Sequence, residues 1–257
     1  MELLAHTRIV LWEGGSLWVV DATPVTTPEP RSTEPHAHHA IQVTIGLGGT
    51  FRLATGGIEV RGEAVAVAPD VTHVFEAEGL VAIVFVEPES RTGRAIFRAL
   101  FDGRDLAPVP SEMLADFGGR IAANFRDPEG KNDALVQLGR GLAASMAGST
   151  AASEPDPRVR KMIAWAAGQL DGPVSLADVG AIGGLSAHRL RHLFVEQTGL
   201  AFRTYLLWLR LTRALERLAA GASLTQSAHE AGFADSSHFS RTFKRMFGVA
   251  PATLRIT

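Results

Sequence analysis

The first hundred residues of the chain alternate short apolar runs with polar breaks. Each run is rich in residues that favour strands, and Gly, Pro and Asp separate it from the next. The predicted strands are 8–12, 17–21, 40–47, 50–54, 64–68, 71–75 and 80–86. Regular short strands with tight turns indicate an all-β barrel or sandwich in this region.

Three helical patterns follow these strands. They span residues 91–101, 111–125 and 131–146, and the last two repeat apolar positions at helical spacing. The repeated positions are Met113, Leu114, Phe117 and Ile121 in one helix, and Leu135, Leu138, Leu142 and Met146 in the other. Packing against a core explains both apolar stripes.

The last hundred residues contain one pattern twice. Each copy predicts a short helix, a turn at a glycine, and a longer amphipathic helix that ends at another glycine. Gly184 and Gly232 mark the turns at a spacing of 48 residues, and Gly199 and Gly248 mark the ends at a spacing of 49. Such a repeat indicates one structural unit used twice, with one residue inserted at the turn.

Polar residues at the helix starts support this interpretation. The predicted N-caps are Ser175, Ser186, Ser223 and a residue near Asp235, and Asp178 and Gln226 complete capping boxes. A connecting helix is predicted over 202–219, with Leu206, Leu209, Leu215 and Leu218 on its apolar side. A stiff connection of this kind would let two helices enter successive major grooves of DNA, about 34 Å apart.

The second helix of each copy presents polar and basic residues outward. The outward residues are His188, Arg189, Arg191 and His192 in the first copy, and Ser236, Ser237, His238, Ser240, Arg241, Lys244 and Arg245 in the second. Arg can pair bidentately with guanine, and Ser and His can hydrogen-bond to base edges or phosphates. A solvated helix surface is the alternative for a single helix of this kind, but the duplication favours DNA recognition.

The second copy, residues 228–251, closely resembles the signature of AraC/XylS-type transcriptional regulators. The glycine, aromatic, Ser-Arg and terminal Gly-x-x-Pro elements are in register, and the resemblance covers 159–255. It implies base-facing roles for His188, Arg191 and His192, and for Ser236, Ser237 and Arg241, with Ser240 and Lys244 at phosphates. It also implies a dimer interface on one of the helices of the first region. Positions 236 and 237 depart from the family, which often carries longer side chains there.

The charge of the chain is distributed unevenly. Residues 156–257 contain thirteen Lys and Arg against seven Asp and Glu, a formal charge of +6, whereas residues 1–155 contain twelve against twenty, a formal −8. A basic half can neutralise phosphates and release counterions, but an acidic half is repelled by DNA. The two halves are therefore expected to have different tasks.

Composition predicts two domains in a cytoplasmic protein. The chain has 257 residues, 46% of them hydrophobic, with neither a run of eighteen apolar residues nor a basic-then-apolar leader. Because it contains no cysteine, disulfides, thiolate metal sites and cysteine nucleophiles are excluded. We predict an α+β fold: a β barrel followed by helices for sensing and dimerisation (1–147), a linker (148–157), and an all-α DNA-binding domain (158–257).

Several histidines lie in the predicted β region. His36, His38 and Gln42 would share one face of an extended strand, and His73 precedes a later strand. This arrangement resembles the cupin barrel, although Gln42 replaces the usual Glu and the second element is one residue short. We expect His36, His38, Gln42 and His73 to line an effector pocket; they are also the candidate ligands of a divalent metal, and no cofactor is required. His39, which faces the opposite way, is predicted to be a surface or packing residue.

The sequence predicts a DNA-binding regulator controlled by a small molecule. Its expected partners are promoter DNA, an effector and a second copy of the chain, with RNA polymerase as a further candidate and no membrane. Two alternatives stay open. A metal-dependent cupin dioxygenase or isomerase would leave the basic repeat unexplained, and the small residues at 236 and 237 would suit a protein-interaction module.

Overall fold

A computed structural model describes residues 5–22, 31–114 and 116–256 of the protein. By its internal contacts the chain divides into two compact units. Of the described residues, the barrel unit contains 5–22, 31–88, 92–114, 116–152 and 243–256, and the helical unit contains 89–91 and 153–242. Residues 243–256, which the sequence analysis places with the DNA-binding domain, therefore fold with the barrel unit.

Eleven strands in the described ranges form two sheets. The strands are β1 (Ala5–Trp12), β2 (Gly15–Asp21), β3 (Arg31–Ser32), β4 (Ile41–Gly46), β5 (Thr50–Thr55), β6 (Ile58–Arg61), β7 (Ala64–Val67), β8 (Val74–Glu78), β9 (Leu80–Val86), β10 (Leu106–Pro108) and β11 (Leu254–Ile256). The larger sheet has the order β10-β7-β4-β9-β2-β1-β11, and the smaller has the order β3-β8-β5-β6. The β1–β11 pair is parallel, whereas the other pairs are antiparallel. This architecture confirms the predicted β-rich, barrel-like amino-terminal region.

Four helices cover one face of the larger sheet or lie next to it. They are α1 (Arg91–Leu100), α2 (Ser111–Leu114), α3 (Phe117–Arg126) and α4 (Asn132–Ala147). The core between sheet and helices includes Ile41, Val43 and Ile45 of β4, together with Ile121 and Leu135. Because side chains alternate along a strand, the intervening residues of β4 point to the other face, away from these helices.

The helical unit is built from α5 to the first part of α10. The helices are α5 (Pro157–Ala167), α6 (Leu176–Gly183), α7 (Ala187–Thr198), α8 (Phe202–Ala219), α9 (Leu224–Glu230) and α10 (Ser236–Phe247). Val159, Val179, Phe194 and Tyr205 meet in its core. The Tyr205 hydroxyl donates a hydrogen bond to the buried carboxylate of Glu89.

Three local predictions need correction. The helix predicted over 111–125 is two helices, α2 and α3, and residue 115 lies outside the described ranges. The strand predicted over 71–75 is shifted to Val74–Glu78, because Asp70 has a positive φ of 60° and the backbone of His73 bonds to that of His36 instead. The four short strands β3, β6, β10 and β11 were absent from the prediction because two to four residues are too few to establish a strand pattern.

Candidate nucleic-acid interface and histidine cluster

The first repeat forms the predicted helix-turn-helix. Ser175 and Asp178 make a reciprocal capping box at the start of α6. Gly184 then has φ 63° and ψ 32°, a left-handed conformation that costs glycine little. The hydroxyl of Ser186 accepts a hydrogen bond from the backbone N–H of Arg189, and this cap starts α7. Both ends of the turn are thus fixed by short-range hydrogen bonds.

The second repeat has the same construction. Ser223 and Gln226 form the capping box of α9, and Gly232 turns the chain with φ 76°. The carboxylate of Asp235 accepts a hydrogen bond of 2.6 Å from the backbone N–H of His238, which caps α10. The cap predicted near Asp235 is therefore confirmed.

The second helix of each repeat, which we call its reading helix, is α7 in the first repeat and α10 in the second. Both reading helices present the predicted polar residues on their surfaces. In α7, Leu190 and Phe194 are buried, and four residues are exposed: His188, Arg189, Arg191 and His192. In α10, Phe239 and Phe243 are buried. Its exposed predicted residues are Ser237, Arg241, Lys244 and Arg245, and its half-buried ones are Ser236, His238 and Ser240. Their contacts with DNA stay a prediction.

The buried histidines of the barrel unit form a second site. The rings of His36 and His73 lie 4.3 Å apart, and that of His38 lies 5.1 Å from His73. One ring nitrogen of each comes within 4.8 Å of the others. His36 and His38 precede β4 rather than sharing a strand with Gln42, so the predicted strand geometry is wrong. Their backbone groups bond instead to His73 and Asp70, and this irregular path still brings the side chains together.

Backbone carbonyls fix the orientation of the three imidazoles. The Nδ1 atoms of His36, His38 and His73 lie 2.9, 3.0 and 2.9 Å from the carbonyl oxygens of Glu34, Ala40 and Val71. Since a carbonyl only accepts, Nδ1 carries the proton and Nε2 keeps its lone pair. Burial, and next the neighbouring His73, lowers the pKa of His36 to about 4 and that of His38 to about 3. Burial also lowers the pKa of His73, so all three rings are neutral at pH 7.

Gln42 completes this cluster. Its Oε1 lies 2.9 Å from His38 Nε2 and 3.3 Å from His73 Nε2, and its Nε2 donates to Thr44 Oγ1. In this orientation the amide oxygen and the imidazole nitrogens are all acceptors, an arrangement that a cation satisfies. With the amide turned by 180°, its NH₂ donates to both imidazoles and no cation is needed. The residues therefore fit a divalent metal but do not demand one.

His39 lies outside the cluster. It is buried, and its Nδ1 is 3.6 Å from a carboxylate oxygen of Asp70. Of the two roles predicted for it, surface or packing, the structure selects packing.

The repeat matches known helix-turn-helix proteins. Residues 180–256 match the family described as a helix-turn-helix domain. The HTH-type transcriptional activator RhaS of Escherichia fergusonii is 37% identical over 101 residues, which are 39% of this chain and 36% of the relative. RhaS of Enterobacter sp. is 35% identical over 101 residues. Residues 180–256 thus match a helix-turn-helix domain, and the carboxy-terminal region is similar to that of the RhaS activators. The aligned part spans little more than a third of these relatives.

The fold of the chain is similar to that of a solved protein, ToxT. ToxT from Vibrio cholerae O395 matches with a TM-score of 0.60 and 14% identity over 94% of this chain and 96% of ToxT. ToxT of strain SCE256, solved with an unsaturated fatty acid bound, matches with a TM-score of 0.59 and 14% identity over 93% of each chain. At this identity the likeness concerns the fold alone. Among the described residues, no helix is long and apolar enough to cross a membrane.

A cleft of about 790 Å³ lies in the helical unit beside the turn that precedes α10. Arg210 and Arg213 line it together with Asp171 and Glu230. Burial lowers the pKa of Arg210, which donates to the carbonyl of Gly172. Because charges of both signs line the cleft, it selects neither anions nor cations.

Sequence reasoning missed the surroundings of Lys244 in this domain. Lys244 Nζ lies 2.6 Å from Glu34 Oε1, and both residues belong to the barrel unit, which also contains residues 243–256. Glu34 belongs to no periodic pattern, and only three residues form the terminal strand β11. The sequence therefore carried no signal for this contact.

Proposed function

We propose that this protein is a sequence-specific DNA-binding transcriptional regulator that acts in the cytoplasm. The observation that carries the proposal is the pair of capped helix-turn-helix motifs, each of which exposes arginine on its second helix. In this reading, Arg191 and Arg241 contact base edges, and Lys244 contacts a phosphate. An enzyme would leave this basic tandem repeat without a use.

The connecting helix supports reading by both motifs together. Helix α8 runs for 18 residues from Phe202 to Ala219, and Tyr205, Leu211 and Leu215 are buried along it. At 1.5 Å per residue its length is about 27 Å. A continuous, packed helix restricts the distance between the motifs, which favours recognition of a site with two defined parts.

Selection from a random duplex library tests this function. The protein should enrich one sequence, and its affinity for that sequence should fall steeply with salt because phosphate contacts release counterions. Replacing Arg241 by Ala should lower the affinity by about 1 to 3 kcal/mol if it reads a base. Arg120→Ala, on α3 of the barrel unit, removes the same charge and should have little effect. Failure to enrich any sequence would refute the proposal.

We also propose that the histidine cluster is the site through which a ligand controls DNA binding. Its support is a set of three neutral, buried imidazoles, two of which contact Gln42, and nothing in a purely structural core requires such a set. Buried polar groups of this kind are typical of ligand sites. A homodimer and contact with RNA polymerase belong to the same proposal and rest on the resemblance to AraC/XylS-type regulators.

A divalent metal is the second candidate occupant, favoured by the inward-facing acceptor atoms of the cluster. His36, His38, His73 and Gln42 would hold it, and when bound it would supply a Lewis-acidic centre or a purely structural charge. Titration of chelator-treated protein with Co²⁺, followed by its visible absorption, tests binding. His38→Ala should abolish the absorption change, whereas His39→Ala should retain it. An unchanged spectrum in the unsubstituted protein would exclude this occupant and leave an organic ligand.

A further inference from the structure

The end of the second reading helix folds with the barrel unit. After Phe247 the chain turns at Gly248 and adds β11 to the edge of the larger sheet. Ala5, His6 and Thr7 of β1 pair in parallel with Leu254, Arg255 and Ile256. We call the segment from Phe243 to Ile256 the latch.

Aromatic side chains attach the latch to the inner face of the sheet. The ring of Phe247 lies 4.8 Å from Trp18 of β2 and 5.6 Å from Phe85 of β9. Phe243 stacks on the same Trp18 at 6.2 Å. Both phenylalanines are buried. The last turn of α10 is therefore held by apolar packing as well as by the sheet that follows it.

Glu34 joins the latch to the loop that carries the histidines. Its backbone N–H donates to the carbonyl of Gly248 at 2.9 Å, and its carboxylate pairs with Lys244 at 2.6 Å. Its own carbonyl accepts from His36 Nδ1. The ring of Phe247 also lies 6.1 Å from that of His38. Glu34 thus contacts both the latch and the histidine cluster, and Phe247 of the latch lies next to His38 of the cluster.

This arrangement opposes DNA binding by α10. A duplex that used Lys244 would have to break its ion pair, and a phosphate brought to Lys244 would meet the negative charge of Glu34. Exposed pairs of this kind are weak individually, but the sheet and the aromatic packing hold Glu34 in place. DNA and the closed latch therefore compete for the same lysine.

We propose that the latch is an autoinhibitory contact that holds the second reading helix in a state with low DNA affinity, and that occupation of the histidine cluster releases it. The inference rests on the proposed function and adds its regulation. A ligand that needs more room beside His36 and His38 displaces Phe247 and the Glu34 loop, so it binds the open latch better than the closed one. Such a difference in affinity is what allows a ligand to shift the equilibrium.

A reversible covalent lock tests the latch directly. The chain contains no cysteine, so the double variant Ala5→Cys with Leu254→Cys can form only one intramolecular disulfide. These residues are directly paired in adjacent strands, where Cα atoms about 5 Å apart suit a disulfide. Mass spectrometry of the monomer verifies the bond. We expect the oxidised protein to bind its enriched duplex at least about tenfold more weakly than the reduced protein.

The outcomes separate the latch from the function on which it rests. Equal affinity of the oxidised and reduced forms would overturn the latch while leaving DNA recognition intact. Failure of the reduced form, correctly folded by circular dichroism, to bind any enriched duplex would overturn the proposed function itself. Restored affinity after reduction supports both.

A charge variant tests the same contact without a new bond. Glu34→Gln frees Lys244 for a phosphate, so DNA affinity should rise about three- to tenfold at low salt. The slope of log affinity against log salt should become steeper by about one. Glu63→Gln removes an exposed charge from the same unit and should change neither quantity. Identical behaviour of the two variants would contradict competition at Lys244.

Discussion

Gly248→Ala, with Gly199→Ala as its counterpart in the first repeat, tests how closely the latch is packed. Both glycines end a reading helix with positive φ, 70° at Gly248 and 79° at Gly199. A methyl group at Gly199 would meet nothing within 4 Å. One at Gly248 would lie 2.5 Å from the carbonyl oxygen of Glu34 and 2.7 Å from His36 Nδ1. The two substitutions therefore share a backbone cost and differ in steric contact.

The magnitudes follow from these two terms. A left-handed conformation costs a non-glycine residue about 1 to 2 kcal/mol, and stiffening of the unfolded chain offsets up to about 1 kcal/mol of that. Gly199→Ala should thus destabilise by about 1 kcal/mol. The additional overpacking at Gly248 should cost about 1 to 3 kcal/mol more unless the latch opens. Opening would relieve the contact and expose the amides of β1 and β11.

Urea unfolding and hydrogen exchange followed by mass spectrometry measure both effects. In Gly248→Ala we expect either the larger loss of stability or faster exchange in β1 and β11. The added methyl group either stays overpacked against Glu34 and His36, which lowers stability, or forces the latch to open, which exposes these amides. Gly199→Ala should leave exchange in those strands unchanged. If both variants lost the same stability and exchanged alike, Gly248 would not approach the Glu34 loop as the structure has it.

Three further predictions concern single groups. The folded-state pKa values of His36 and His38 lie below the unfolded value near 6.5, so the unfolded protein binds more protons than the folded protein between about pH 6.5 and 4. The free energy of unfolding of chelator-treated protein should therefore decrease as the pH is lowered from about 6.5 to 4. A urea midpoint that stays constant over this range would contradict buried neutral rings. Asp235→Ala removes the cap of α10 and should lower the free energy of unfolding in urea by about 1 kcal/mol. Ser237→Ala, at an exposed position that caps no helix, is the control and should leave it nearly unchanged. Tyr205→Phe removes the hydrogen bond to Glu89 and should cost about 1 to 2 kcal/mol; an unchanged midpoint would mean that this bond adds nothing.

The sequence predicted most where local chemistry decides the structure. Ser175, Gly184 and Ser186 specify the start, turn and restart of a helix within twelve residues, and the structure confirms each role. Strands with several apolar residues were equally visible, as β9 shows by matching its predicted bounds of 80–86. In the first case the deciding interactions join residues close together in the sequence, and in the second they are made by apolar residues that recur along the strand.

The sequence predicted less where distant residues meet through irregular backbone. His36 and His38 were expected on a strand, but their backbone bonds to His73 and Asp70 replace the strand ladder. Their convergence with His73 and Gln42 was inferred from a resemblance, whereas the Nδ1 contacts that orient the rings depend on three carbonyls from separate positions. No periodicity encodes such contacts. The structure alone reveals that the rings of His38 and His73 face one amide, that of Gln42.

The two repeats have diverged in what surrounds them, although their local plans are the same. At Gly199 the helix end faces open space, so glycine is needed there only for its backbone conformation. At Gly248 the same conformation is combined with close approach to Glu34 and His36, and any side chain would push the two apart. Gly199 therefore only ends α7, whereas Gly248 both ends α10 and allows close contact with Glu34 and His36. In the proposed regulation, ligand control therefore acts through the second reading helix, because among the described residues its end, and not that of α7, closely approaches Glu34 and His36.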